Sequence, residues 1–444
     1  MSTLDAQKPT ARFHAELAWL GGERAEHDVL IEVRGDRIAA VTAGVPAPDG
    51  ARRLRGLTMP GLVNSHSHVF HRAIRGHSQH GVGDFWAWRE GMYDVAARLG
   101  PETLYALARA TYAEMALSGI TAVGEFFYLH HDVDPNGDAR PYGDPNELGH
   151  AVVRAANDAG LRITLLDTCY LQGDVAGAEL HGVQRRFSDG SWQGWAERVE
   201  RLGASETDRF RLGAAIHSVR AVPRAALAPI AELAATRGWP LHVHLSEQPA
   251  ENTECLAHHG LTPTALLDEA GVWTATATAV HATHLTADDI AVLGRSGTSI
   301  AMCPTTERDL ADGVGPAVAL AGAGSPLCVG SDAHSVIDLW EEARAVELDE
   351  RLVSGRRGNL GVAQLAHALT GAGADSIGWD AGRIAEGALA DLVTVALDTP
   401  RTAGARLGDA LAHIVFAATA ADVTDVVVGG RSIVRDGVHT SVPD

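Results

Sequence analysis

Lysine is almost absent from this chain: of 36 lysine and arginine residues, only Lys8 is a lysine. No body lysine can form a Schiff base, no G-K-[ST] phosphate loop exists, and a metal centre bridged by a carbamylated lysine is excluded. Cysteine is scarce too. Cys169, Cys255, Cys303 and Cys328 are widely spaced and none forms a C-x-x-C pair, which predicts scattered reduced thiols and a cytoplasmic protein. No stretch of about 18 uninterrupted apolar residues occurs, so no membrane span is expected. Residues 1–9 have no apolar segment of the signal-peptide kind. Positive charge is outweighed: 56 acidic side chains give a formal net charge of -20. That balance argues against nucleic acid or an anionic membrane as partner, and any anionic substrate must be met by a local basic cluster.

What is present suits a large globular core, with 46% hydrophobic and 21% charged residues among 444. Short strands at 13–20, 29–33 and 38–41, and a stretch before Met59, are separated by Gly, Asp and Arg turns. The same texture returns from about 383, with a strand at 390–395 and a hairpin through Gly429-Gly430. Residues 1–58 and 383–444 are therefore expected to form one composite small β domain, a sandwich built from both termini. Between them, apolar strands at 60–66, 121–127, 161–168, 211–217, 241–245, 277–282, 297–302 and 326–331 alternate with helices. The helices at 101–118, 146–159, 222–237 and 286–294 show Pro-start and Gly-end punctuation. Near-continuous apolar strands alternating with helices indicate a parallel sheet closed as an α/β, TIM-like (β/α)₈ barrel over 59–382.

Chemistry-bearing residues fall where those strands end, which is where barrels place catalytic groups. His66 and His68 end the first strand, one residue apart and so on one face. Leu241-His242-Val243-His244-Leu245-Ser246-Glu247 ends the fifth, His281 the sixth, and Ser331-Asp332 the eighth. His66, His68, His244 and Asp332 can converge on one ion. His244 is preferred over His242 because it lies nearer the rim; His242 is expected in packing. Three imidazoles and a carboxylate leave room for a water whose pKa zinc lowers from about 15.7 toward 7. Asp332 can accept that water's proton, Glu247 can carry a proton to a leaving nitrogen, and His281 can hydrogen-bond the developing tetrahedral centre. This is a hydrolase's equipment for attack on a planar carbon.

Pro60-Gly61…His66-Ser67-His68, His244-Leu-Ser-Glu247, His281 and Ser331-Asp332 resemble the amidohydrolase superfamily, in its mononuclear aminohydrolase branch. The resemblance implies one Zn²⁺ per chain, with Fe²⁺ as alternative, on the four ligands named above. Finer motifs are similar to those of the formimidoylglutamate deiminases of histidine breakdown. They include Phe85-Trp86-Ala87-Trp88-Arg89-Glu90-Gly91-Met92-Tyr93, the run from Glu125 to Asp132, Gln184-Arg185-Arg186-Phe187, His217-Ser218-Val219-Arg220 and Thr306-Glu307-Arg308-Asp309-Leu310-Ala311-Asp312-Gly313. Purine-type deaminases are expected to carry Asn where Glu307 stands. The resemblance implies hydrolysis of N-formimino-L-glutamate to N-formyl-L-glutamate and ammonia. It also implies a small substrate with two carboxylates, held by Arg89 and Arg220 with Tyr128, His217 and the residue at 71 as further contacts. Trp86 and Trp88 are expected in packing. The family pattern leads to Phe-Gln-Arg after the metal histidines, but this chain has Phe70-His71-Arg72; an imidazole donates and accepts only with its two nitrogens fixed. A homodimer is expected from the size of the barrel.

Two rival readings differ in what they require. A deaminase of a purine, pterin or triazine amine leaves Arg89 and Arg220 without a dianion to bind. A catalytically silent barrel serving as a scaffold would have lost ligands, and here all four are present.

Overall fold

The computed structural model describes residues 10–77, 85–133 and 139–442, Phe85 and Trp86 by backbone only. The packing expected of Trp86 therefore lies outside the described residues. Eight parallel strands make the central sheet: β1 (Leu62–Ser67), β2 (Ile120–Phe127), β3 (Arg162–Cys169), β4 (Phe210–Ile216), β5 (Leu241–Leu245), β6 (Ala277–His281), β7 (Ser299–Met302) and β8 (Leu327–Val329). Each pairs with the next in chain order. They coincide with the eight apolar runs of the sequence because both faces are covered: every residue of β2 and β3 is buried. Helices between strands begin and end where local chemistry dictates. Pro101–Leu117 starts on a proline that has no N–H to leave unpaired. Ala287–Ser296 starts at Thr286, whose side chain accepts from the Asp289 amide.

The barrel closes where β8 runs back beside β1. Asp332 N donates to His66 O at 3.0 Å and His68 N donates to Asp332 O at 3.1 Å, a parallel bridge between Ser67 and Asp332. This approach requires a glycine at 330, because a Cβ there would stand 2.6 Å from the His66 carbonyl oxygen.

The two chain ends interleave in one continuous eight-stranded sheet. Leu392–Val395 pairs antiparallel with Arg52–Pro60, which itself lies parallel to Ala11–Ala18. Phe13, Ile31, Leu54, Leu392 and Val427 form its apolar cluster. Among the described residues, no helix is long and apolar enough to cross a membrane.

A buried ion pair joins this sheet to the barrel. Arg162, at the start of β3, donates to Asp391 at 2.8 Å, and both side chains are almost wholly enclosed. Asp391 also accepts from the Gly429 amide at 2.7 Å, and Arg162 donates to the Asp208 carbonyl at 2.6 Å. Removing one member strands the other in a low-dielectric setting. Asp391→Ala is expected to lower the free energy of unfolding by about 3–5 kcal/mol in a denaturant titration, and a loss below about 1 kcal/mol contradicts this role.

Candidate active site

At the C-terminal ends of the strands the sequence-predicted donors meet. His244 Nε2 lies 3.2 Å from His66 Nε2 and 3.2 Å from His68 Nε2. Asp332 Oδ1 lies 3.3 Å and 3.4 Å from those same two nitrogens at the end of β1. Ligands about 2.0–2.1 Å from a tetrahedral zinc-type ion stand about 3.3–3.4 Å apart, and these four separations match that spacing; His66, His68 and Asp332 come together as one candidate ligand set, and His66, His244 and His281 as another. The tautomer of His68 fits as well. His68 Nδ1 donates to the Phe126 carbonyl at 2.7 Å, which leaves the lone pair on Nε2 where a cation would sit. Burial, and after it the neighbouring imidazoles, holds His66 and His244 well below the usual imidazole range, and burial brings His68 down to about 3. The rings are therefore neutral, as ligation requires.

His242 and His244 lie on one face of β5, two residues apart, at different depths. His242, the deeper, donates from Nε2 to the Ser376 carbonyl at 2.9 Å, in the packing position expected of it.

Beyond the donor cluster stand the two other predicted catalytic groups. His281 Nε2 is 3.7 Å from Glu247 Oε1 and 3.9 Å from Asp332 Oδ2, while its Nδ1 lies 3.4 Å from Glu307 Oε1. Burial pulls His281 down, but Glu247, Glu307 and Asp332 together push it up to about 10. Ser246, His281, Ala282 and Asp332 all adopt left-handed backbone, with φ of 49, 67, 53 and 44°. This backbone turns the chain at the strand ends beside Glu247, His281 and Asp332, which line the site.

All five predicted substrate contacts line one cavity of about 280 Å³ with Glu247, His281 and Asp332: His71, Arg89, Tyr128, His217 and Arg220. His71 is buried; its Nε2 lies 2.8 Å from Tyr128 Oη, and its ring lies 4.5 Å from that of His68. Trp88 packs edge-on against His71 at 5.0 Å and also forms cavity wall, so it has a share in the pocket as well as in packing. Gln184 donates to Tyr93 and Tyr170, each at 3.2 Å, and so steadies two cavity-lining phenols.

A supporting network was not assigned from sequence. Asn64 Nδ2 donates to Ser331 Oγ (2.7 Å), which contacts His334 Nδ1 (2.9 Å); His334 Nε2 contacts Ser67 Oγ (3.1 Å), and Ser67 donates to Glu125 Oε2 (2.5 Å). Glu125 also accepts from the Val69 amide at 2.6 Å and from Tyr112 at 3.0 Å. Burial nevertheless pushes its carboxyl up to about 8. The chain of bonds ties the β1 end to the β8 end on either side of the donor cluster. A lone carboxylate at the end of the apolar run Ile120–Phe127 was the available signal.

These donors are expected to hold one divalent ion per chain by elemental analysis. Because the rings are lowered, their neutral form persists as pH falls through the ordinary imidazole value of 6.5. Metal content after equilibration at graded pH should therefore be retained through that value. Loss with a midpoint at 6.5 contradicts the assignment.

Comparisons with known proteins bear on the family and the fold. The profile of the amidohydrolase family matches residues 57–433. Formimidoylglutamate deiminase of Pseudomonas aeruginosa is 38% identical over 93% of this chain and 92% of its own length. A 5-methylthioadenosine/S-adenosylhomocysteine deaminase of Natronomonas pharaonis is 28% identical over 92% of this chain and 88% of its own. The crystal structure of an amidohydrolase from Brucella melitensis superposes with a TM-score of 0.86 at 30% identity, covering 97% of this chain and 96% of that one. With its family profile, its barrel and its relatives in accord, this chain belongs to the amidohydrolase family, hydrolases acting here on C–N bonds.

Proposed function

We propose that this protein is a metal-dependent deiminase that hydrolyses N-formimino-L-glutamate to N-formyl-L-glutamate and ammonia. One juxtaposition carries the reading: Arg89 and Arg220 open on the same cavity as the His and Asp donors. The same cleft also holds Asp174, Glu247, Glu254 and Asp332, so what the arginines offer a dianion is directed donor forks rather than a net positive field. Guanidinium forks match carboxylates bidentately, and this substrate has two carboxylates beside its amidine carbon. The 38% identity to a formimidoylglutamate deiminase supports the same substrate.

The proposed cofactor is zinc, with Fe²⁺ as the alternative that imidazole and carboxylate donors also accept. His66, His68, His244 and Asp332 would hold it. When bound, such an ion makes hydroxide available from water near neutral pH. The chain's own groups do the rest. Asp332 directs Oδ1 at His66 and His68, which leaves Oδ2, 3.9 Å from His281, to take a proton from the attacking water. His281 donates a hydrogen bond to the oxygen as the amidine carbon becomes tetrahedral. Glu247 delivers a proton to the departing nitrogen. The water oxygen ends as the formyl oxygen, the C–N bond breaks, and both water protons leave on ammonia. Tyr128, His217 and His71 supply further polar contacts to the substrate.

A second reading, deamination of a cyclic amine, is favoured by the likeness to the methylthioadenosine deaminase. Ammonia release by zinc-loaded protein separates the two. Turnover of N-formimino-L-glutamate and none of a purine, pterin and triazine panel is expected; the reverse contradicts the proposal. Arg220→Ala is expected to lower kcat/KM for N-formimino-L-glutamate by about 10²-fold, the scale for removing one member of a buried charge pair. An undiminished value contradicts the carboxylate clamp.

A further inference from the structure

Arg220 does more than face the cavity. Its Nη2 donates to Glu247 Oε2 at 3.0 Å, and its Nε lies 3.0 Å from Glu251 Oε2. The two carboxylates are not equivalent. Glu251, in the first turn of the helix Pro249–His259, has no exposed side-chain surface, and its Oε1 accepts the Ser246 amide at 2.9 Å. It is bolted to the turn after β5 and anchors the guanidinium. Glu247 lines the cavity, on the reactive side. Its Oε2 is taken by Arg220, and its Oε1 stands 3.7 Å from His281 Nε2.

A guanidinium on one oxygen lowers the proton affinity of the whole carboxylate, so Glu247 takes up a proton less readily at either oxygen while Arg220 holds Oε2. Arg220 is also the guanidinium proposed above to bind a substrate carboxylate. One side chain thus stands between the proposed recognition group and the proton carrier. We propose that Arg220 couples recognition to catalysis: a ligand carboxylate that engages Arg220 draws it from Glu247 Oε2 and frees that oxygen to carry the proton. Glu251 is the positioning residue that keeps Arg220 in place during the exchange. The inference rests on the deiminase reading, since it takes Glu247 as the proton carrier and a carboxylate as the ligand at Arg220. It makes the substrate's acid group a condition for chemistry as well as for binding. An amidine without a carboxylate fails to release Glu247 even when its carbon reaches the centre.

Competition for one guanidinium is reciprocal, which gives a binding test independent of turnover. Glutarate, the dicarboxylate part of the proposed substrate without its amidine, is the probe, titrated calorimetrically into metal-loaded protein. Glu247→Gln, which removes the competing charge while keeping the side chain's shape, is expected to bind glutarate about tenfold more tightly than the parent, or 1.4 kcal/mol. Equal or weaker affinity overturns the proposal. The unaltered enzyme provides the second arm. Ammonia release from formamidine, an amidine with no carboxylate, is expected to rise saturably and about tenfold as glutarate is added, at constant ionic strength, a modest part of the ~10²–10⁴ that a placed proton carrier contributes. A flat or falling rate across the series, including no turnover at any glutarate concentration, overturns it. Failure of the underlying deiminase reading is seen separately, as absence of ammonia from N-formimino-L-glutamate itself.

Discussion

The site depends on the way β8 is laid against β1. Two backbone hydrogen bonds, Asp332 N to His66 O and His68 N to Asp332 O, close the barrel. The same two bonds set the spacing between the histidines of one strand and the aspartate of the other. Barrel closure thus also places His66, His68 and Asp332 against one another, an approach made possible by the missing side chain at Gly330. Around this junction the strand ends accept left-handed backbone at Ser246, His281, Ala282 and Asp332, strain that a well-packed barrel can hold. The network from Asn64 through Ser331, His334 and Ser67 to Glu125 braces both sides of the junction.

Electrostatics follow from that enclosure. Burial strips the imidazoles of their water and keeps them neutral, whereas His281, ringed by Glu247, Glu307 and Asp332, is held in the opposite direction, up to about 10. Histidines at the same rim are thus divided between lone-pair donors and a proton-bearing group by their neighbours alone. The arginines complete the division. In a strongly acidic chain, Arg220 is retained inside by two glutamates, and Arg89 joins it at the cavity wall.

Much of this was legible in the order of residues. Eight apolar runs gave the barrel strands, because parallel strands covered on both faces need no alternation. The pairing of His66 with His68 followed from the two-residue period of a strand, and the choice of His244 from its nearness to the rim. The terminal sheet was legible as to its parts but not its order. Arg52–Pro60 lies parallel to Ala11–Ala18 across an intervening hairpin, and hairpin chemistry carries no information about such a pairing. Long-range polar contacts were hidden for the same reason. Glu125 could be noticed as a charge within an apolar strand, yet its bonds to Ser67 and Tyr112 exist only once the barrel has closed. Glu251 gave no signal at all: it reads as an ordinary acidic residue in a helix's first turn, and its grip on Arg220 and on the Ser246 amide is a product of folding.

Charge recognition is central to the proposed function, in which Arg89 and Arg220 beside the donor cluster would select a dianionic amidine. The measurement that bears on this most directly is kcat/KM for N-formimino-L-glutamate against N-formiminoglycine, which keeps the amidine and one carboxylate but lacks the second. A preference of about 10²-fold or more for the glutamate derivative, the worth of one buried charge-assisted contact, is the predicted result. Equal values for the two substrates would contradict it.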